Sequence, residues 1–419
     1  MVYRRRVVDA QLQSALRVIG GVLIEGPKAC GKTETARQVA ASEVLLDVDP
    51  AAREAIAIDP RLVLDGAPPR LLDEWQIEPA IWDHVRRAID DRRVAGQFIL
   101  TGSAVPADDV TRHTGAMRIA RLRMRPMSLF ETGRSTGAVS LASLLAGGAA
   151  SAPDAGLEVA ELAEAIAVGG WPALQEADVD GALVALRGYL DEVRRVDINR
   201  VGSASRRDPE KVLALLRSLA RNVATEVSAV ELAKDAGGAD GALDDDTVRE
   251  YLDALARLMV VENQPAWAPH MRSKYILRRA PKRHFVDPSL AVAAVRATPK
   301  RLLGDLNFLG LLFESLVVRD LRVYAQAVDP AAEVRHYRDS QGNESDAIVE
   351  LPDGRWAAFE IKLGTGRVDA ACTTLKTFIK QIDLEKSGAP AALGVIVGRG
   401  YGYRRPDGIN VIPIGTLGP

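Results

Sequence analysis

Along residues 1–135 short apolar runs alternate with amphipathic stretches. The runs at 21–25, 44–48, 71–73 and 98–101 have the length of buried strands, and the segments at 33–41, 59–64 and 80–95 between them carry helical spacing. This β-α alternation predicts a parallel, doubly wound α/β sheet. The Gly, Ala and Ser content of 132–155, with Leu141, Leu144 and Leu145 mixed in, reads as a linker carrying a short helix. From 158 to 268 the pattern is helical. Within it, 228–236 followed by 246–260 reads as a helix-turn-helix unit, because Val248, Tyr251, Leu252, Leu255 and Leu258 share one face; an ordinary helical packing unit carries the same pattern. The last third opens with an apolar helix at 308–324 and continues as short strands, with turn signals at 339–342 and 352–354. The units that follow are 1–135, a linker at 136–157, a helical region at 158–285 and an α+β module at 286–419.

Composition changes little in this picture. A chain of 419 residues exceeds one ordinary core, and 47% hydrophobic with 26% charged residues is the make-up of a globular protein. A net charge of −2 excludes attraction of the whole molecule to nucleic acid and leaves only local patches for such contacts. Cys30 and Cys372 stand far apart, which implies no disulfide framework and fits a reducing compartment. His84, His113, His270, His284 and His336 show no metal-ligand spacing, and are expected to be structural or surface residues. The N-terminus has charge but no apolar run behind it, and no run approaches the roughly 18 residues of a membrane span. A cytoplasmic location without a membrane segment is the expectation.

The chemistry begins at Gly26-Pro27-Lys28-Ala29-Cys30-Gly31-Lys32-Thr33, which fits the phosphate-binding pattern G-x-x-x-x-G-K-[ST] between a strand and a helix. Glycines let backbone amides turn toward phosphate oxygens, and the helix N-terminus adds its dipole. Lys32 would reach the β and γ phosphates of ATP, and the Thr33 hydroxyl would ligate Mg²⁺. About forty residues later comes Leu71-Leu72-Asp73-Glu74, with Asp73 expected in the Mg²⁺ shell and Glu74 on the attacking water. The strand at 98–101 ends in Thr101 and Ser103, at the sheet edge where ligands of open α/β folds bind. Among Arg118, Arg121, Arg123 and Arg125, Arg118 is the candidate finger, acting in cis or across a subunit contact of a homo-oligomer.

In the last third, Glu314 sits among apolar helix positions, where a carboxylate must be paired, protonated or metal-bound. Period two places Asp346 on one face of its strand, and puts Glu360 and Lys362 together on the next. Glu314, Asp346 and Glu360 are therefore expected to converge on a divalent cation, with Lys362 orienting water, as metal-assisted phosphodiester hydrolysis requires.

Tyr3 with Arg5, the phosphate loop, Leu72-Asp73-Glu74-Trp75-Gln76, Leu100-Thr101-Gly102-Ser103 and Arg123-Met124-Arg125-Pro126-Met127-Ser128-Leu129-Phe130-Glu131 together resemble the prokaryotic AAA-type ATPases fused to a C-terminal domain of unknown function. Gly169-Gly170-Trp171-Pro172, Tyr189 and Asp197-Ile198 match that family's middle segment, and Met117 stands where the family usually has Gly before the arginine. The resemblance implies an AAA-type P-loop sheet, a helical, winged-helix-like middle region and an α+β module similar to the PD-(D/E)xK nucleases. It implies an ATPase coupled to a nuclease-like domain that acts on or docks DNA. The alternative is an ATP-dependent switch whose C-terminal module is noncatalytic and binds a protein or DNA. A small-molecule kinase is disfavoured by Asp73-Glu74 and by the size of the C-terminal region.

Overall fold

The computed structural model describes residues 2–104, 114–201, 207–237, 243–269, 280–339 and 341–419. His113, His270 and residue 340 of the expected 339–342 turn lie outside them. The N-terminal unit comprises α1 (Asp9–Leu16), β1 (Gly21–Glu25), α2 (Lys32–Arg37), β2 (Ser42–Leu45), α3 (Pro50–Ile58), α4 (Arg61–Leu64), β3 (Arg70–Asp73), α5 (Ile81–Arg92), β4 (Phe98–Gly102) and β5 (Ile119–Arg123). Its five strands are all parallel, in the order β2-β3-β4-β1-β5. Apolar residues cover both faces, as burial of a parallel sheet demands: Leu23, Leu72 and Leu100 pack on Trp82 and Val85 of α5, and Val22, Ile24 and Ile99 pack on Leu12 of α1. The β-α alternation read from the sequence is present, with α1, α3 and β5 added to it.

The segment expected to be a linker is built into the C-terminal sheet instead. It forms β6 (Val139–Ser140), α6 (Leu141–Leu145) and β7 (Ser151–Ala152). Leu141, Leu144 and Leu145 are fully buried, β6 pairs with the last strand of the chain, and β7 caps the sheet edge. Gly and Ala here serve close packing, not freedom.

The helical unit follows: α7 (Val159–Val168), α8 (Val179–Arg195), α9 (Pro209–Arg221), α10 (Ala229–Gly237), α11 (Asp245–Arg257), the antiparallel ribbon β8 (Val261–Gln264) with β9 (Lys282–Phe285), α12 (Pro288–Ala294) and α13 (Pro299–Leu303). Asp244 caps α11 by accepting from Thr247 N at 3.0 Å, and the expected apolar face of Val248, Tyr251, Leu252, Leu255 and Leu258 is buried. Helix α12 is buried along its whole length among α7, α8 and α9, so the helical unit runs past the boundary expected at 285.

The last unit is α14 (Leu306–Val328), β10 (Glu333–Arg338), β11 (Glu344–Glu350), β12 (Trp356–Lys362), α15 (Val368–Gln381), β13 (Ala392–Val397), β14 (Gly402–Arg404), β15 (Asn410–Pro413) and β16 (Leu417–Gly418). The sheet order is β10-β11-β12-β13-β15-β14-β7, parallel through β12-β13-β15 and antiparallel at both sides. Helix α14 covers the face bearing Ala347, Val349, Phe359 and Ile361, and α15 covers the face bearing Ile348, Ala358 and Val395. The first of these cores is continuous with that of the helical unit. Among the described residues no helix is long and apolar enough to cross a membrane.

Candidate nucleotide site

Strand β1 delivers the loop 26–33 to the C-terminal edge of the first sheet, and α2 leaves from it. The two glycines are required for different reasons. A Cβ on Gly26 would stand 2.3 Å from the Met124 carbonyl oxygen, and Gly31 adopts φ of 100°, a left-handed conformation that costs a side-chain-bearing residue about 1–2 kcal/mol. Lys32 is buried, its Nζ donating to the Pro27 carbonyl at 3.0 Å across the loop. The loop's other lysine, Lys28, reaches out of the domain: its Nζ lies 2.5 Å from Asp197 Oδ1, on the helical unit.

The strand order sets β4 between β1 and β3, so Thr101 and Ser103 stand between the loop and the acidic pair. Asp73 Oδ1 accepts from Thr33 Oγ1 at 2.9 Å and from Thr101 Oγ1 at 2.5 Å. Burial raises the Asp73 carboxyl above its usual range, against the pull of those two hydroxyls. Glu74 turns with φ of 52°, its amide donating to Thr101 Oγ1 at 3.1 Å. Its Oε2 accepts from Ser103 Oγ at 2.8 Å and from Gln76 Nε2. Thr33, Asp73, Thr101, Glu74 and Ser103 therefore form one hydrogen-bonded set.

Glu74 and Ser103 of that set, with Lys28 and Ala29 of the loop, line a cleft of about 600 Å³ whose far wall belongs to the helical unit: Asp197, Arg200, Val201 and Leu258. Sequence reasoning did not assign these residues; Asp197-Ile198 was only a family motif, and its contact with Lys28 spans 169 positions. Arg200, largely exposed, stands 3.9 Å from Asp197. A second cavity, of about 120 Å³, opens on the other side of the loop between Tyr3, Arg6, Gly31, Glu34 and Pro172.

Arg118 is placed elsewhere. It precedes β5, with its carbonyl accepting from Gly21 N at the start of β1, so it lies at the sheet edge opposite the loop; its Nε meets Asp90 Oδ1 at 2.9 Å. With about five strand residues at ~3.3 Å each in between, it cannot serve its own loop as a finger. The cis form of that expectation is corrected.

In the C-terminal sheet, Asp346, Glu360 and Lys362 do come together. Lys362 Nζ lies 2.9 Å from Asp346 Oδ2 and 2.8 Å from Glu360 Oε2. Glu314, however, projects from α14 on the opposite face, and reaches the cluster only through Lys282 of β9, 2.6 Å from Glu314 Oε1 and 3.4 Å from Asp346 Oδ1. An ammonium group thus sits where the three carboxylates were expected to hold a cation. Among the described residues no three His, Cys, Asp or Glu side chains are placed to hold a metal ion. The structure brings Asp346, Glu360 and Lys362 together and links Glu314 to them through Lys282, as one ion-pair cluster. Burial raises Glu314 to about 7, and burial with the Asp346 charge raises Glu360 to about 8. Burial also pushes Asp346 up, but Lys282 and Lys362 outweigh it and hold this carboxyl low. Glu360 Oε1 is buried with no hydrogen-bond partner.

Three family models match in succession: an AAA domain over residues 20–133, a domain of unknown function (DUF8612) over 159–301 and a second (DUF4143) over 309–417. An uncharacterized protein of Mycobacterium tuberculosis is 27% identical over 372 residues, covering 86% of this chain and 74% of its own, and a Mycobacterium bovis protein matches to the same extent. A Walker-type ATPase of Pyrococcus abyssi superposes with a TM-score of 0.42 at 14% identity, over 70% of this chain and 96% of that one. The N-terminal unit is an AAA-type ATPase domain.

Proposed function

We propose that the chain is an ATP-dependent switch, in which the AAA domain binds and hydrolyses ATP and the helical unit senses the nucleotide across the cleft. The hydrogen-bonded set of Thr33, Asp73, Thr101, Glu74 and Ser103 at the mouth of the phosphate loop carries this reading. Amides of 26–33 and Lys32 receive the β and γ phosphates, while the base has room in the smaller cavity beside Tyr3. Thr33 and Asp73 would hold a Mg²⁺ ion, which neutralises phosphate charge when bound. Glu74, fixed by Ser103 and Gln76, orients the attacking water and takes its proton. Lys28 and Arg200, both beside Asp197, are the cations nearest the cleft's far wall, and serve better than Arg118 to report on the nucleotide. Arg118 is left with a role toward a second copy of the chain.

The test is ATP turnover and binding in full-length protein. Lys32→Ala should lose ATP binding, and Glu74→Gln should bind ATP but hydrolyse it about 100-fold more slowly or worse. Wild-type turnover in both variants would overturn the proposal.

For the C-terminal unit, the Lys282 ion pairs favour a noncatalytic module that docks a partner. The outer face of α11 carries Asp245, Asp246, Glu250 and Asp253 against Arg249 and Arg257, a poor match for a phosphate backbone, which disfavours a DNA-reading winged helix. The unpartnered Glu360 Oε1 beside Lys362 favours a second reading, a nuclease-like site. Nicking of plasmid DNA with added Mg²⁺ decides between them. A noncatalytic module gives no cutting above background in wild type, whereas cutting lost in both Glu360→Ala and Lys362→Ala would establish the nuclease.

A further inference from the structure

A cavity of about 320 Å³ lies at the seam where β5 of the ATPase domain meets α14 and β8, and it shares no lining residue with the nucleotide cleft. Four arginines face it: Arg121, Arg123 and Arg125 from the ATPase side and Arg322 from α14. Their partners set the charge. Arg121 pairs with Glu25, and Glu333 on the rim shares Arg335 with Glu350, which lies 3.6 Å from Arg335 outside the cavity. Glu262 is shared by two cations, Arg125 at 2.6 Å and Arg322 at 3.1 Å, which leaves one positive charge on that trio. The Arg123 guanidinium has no acceptor among the described residues, and supplies a second. The cavity walls themselves carry four arginines against two carboxylates, Glu262 and Glu333, an excess of two positive charges partly shielded from water. Burial, and then its arginine neighbours, lower both Arg123 and Arg322 below the ordinary arginine value, Arg322 to about 10. Protein groups alone leave this site short of anions.

We propose that this cavity binds a dianionic phosphate group of a small molecule. The charge matches a dianion, and planar guanidinium forks suit phosphate oxygens. A half-open pocket of this size, about 320 Å³, has room for a terminal phosphate or a pyrophosphate. Its walls come from different units: Gln326 of α14 donates to the Arg123 carbonyl at 2.9 Å and accepts from Arg125 at 3.2 Å. A bound phosphate would clamp the ATPase domain to the C-terminal unit.

The experiment uses full-length protein carrying Lys32→Ala, to suppress binding at the phosphate loop. Inorganic pyrophosphate and a single-stranded oligonucleotide without terminal phosphate are titrated separately by calorimetry. Pyrophosphate is expected to bind at one site, to weaken at least about tenfold when Arg123→Gln is added, and to show intermediate affinity with Arg123→Lys, which keeps the charge but not the fork. Pyrophosphate also raises the unfolding temperature in the Lys32→Ala protein and not in the Arg123→Gln double variant. No pyrophosphate binding, binding indifferent to both Arg123 substitutions, or binding of the oligonucleotide alone overturns the proposal.

Discussion

At the scale of single residues, Glu360 gives the sharpest test. Its carboxyl, ordinarily titrating near 4.5, is raised to about 8 by burial and by the Asp346 charge. Between those values the folded chain holds a proton that the unfolded chain has released. Stability from this group is therefore present at low pH and is lost as pH rises toward about 8. Glu360→Gln cannot ionise, so its unfolding temperature should gain on wild type steadily from pH 5 to pH 8 and level off above. Parallel pH profiles for the two proteins would show that Glu360 titrates as an ordinary carboxylate. The phosphate-loop residues were legible in the sequence because their chemistry is local: eight consecutive positions specify a turn, a lysine and a hydroxyl. Lys282 was not, because it faces Asp346 across 64 positions and belongs to a strand with no motif of its own.

At the scale of elements, periodicity located the strands that bury both faces, and missed what composition disguised. The stretch 136–157 has the Gly and Ala content of a flexible linker, yet Leu145 is fully buried and its carbonyl accepts from Arg355, just before β12. Leu145→Ala should destabilise the protein by about 2–5 kcal/mol in denaturant unfolding, the cost of a buried leucine, where a change in a true linker would cost nothing measurable. Strand β5 was hidden by its arginines, since only its Ile119 and Leu122 are buried. The motif residues of the middle segment also acquire physical roles here. Gly170 donates to Asp287 Oδ2 at 2.9 Å, and a Cβ there would lie 2.0 Å from the Met127 carbonyl oxygen. Asp287 in turn pairs with the buried Arg319 at 2.7 Å, which also holds Asp320, the acceptor for Leu129 N. These positions join units to one another. Gly170, Asp287 and Arg319 do not line the cleft, whereas Asp197 of the same segment does.

At the scale of the molecule, the ATPase domain keeps its own cores, whereas the helical unit and the α14 face of the last sheet share one. A change at Asp197 is thus passed to a single large body. Asp197→Asn removes an anion from the cleft wall and frees Lys28, so a slowly hydrolysed ATP analogue should bind roughly three- to tenfold more tightly, about 1 kcal/mol. Unchanged or weaker binding would mean that the Lys28 contact does not oppose the nucleotide.

The stitching of 136–157 into the last sheet also dictates an order of events during synthesis. The five-stranded ATPase sheet is complete once residue 123 has emerged, and it can fold at once. Val139 must wait for Leu417, Ser151 for Tyr403 and the Ser135 hydroxyl for the Leu417 carbonyl. The three buried leucines of α6 are without their cover until α14 and β12 have been made. The nascent chain thus carries a finished ATPase domain followed by an apolar segment that stays exposed until β12 has been made, and that interval is when this protein is most open to aggregation or to capture by a chaperone.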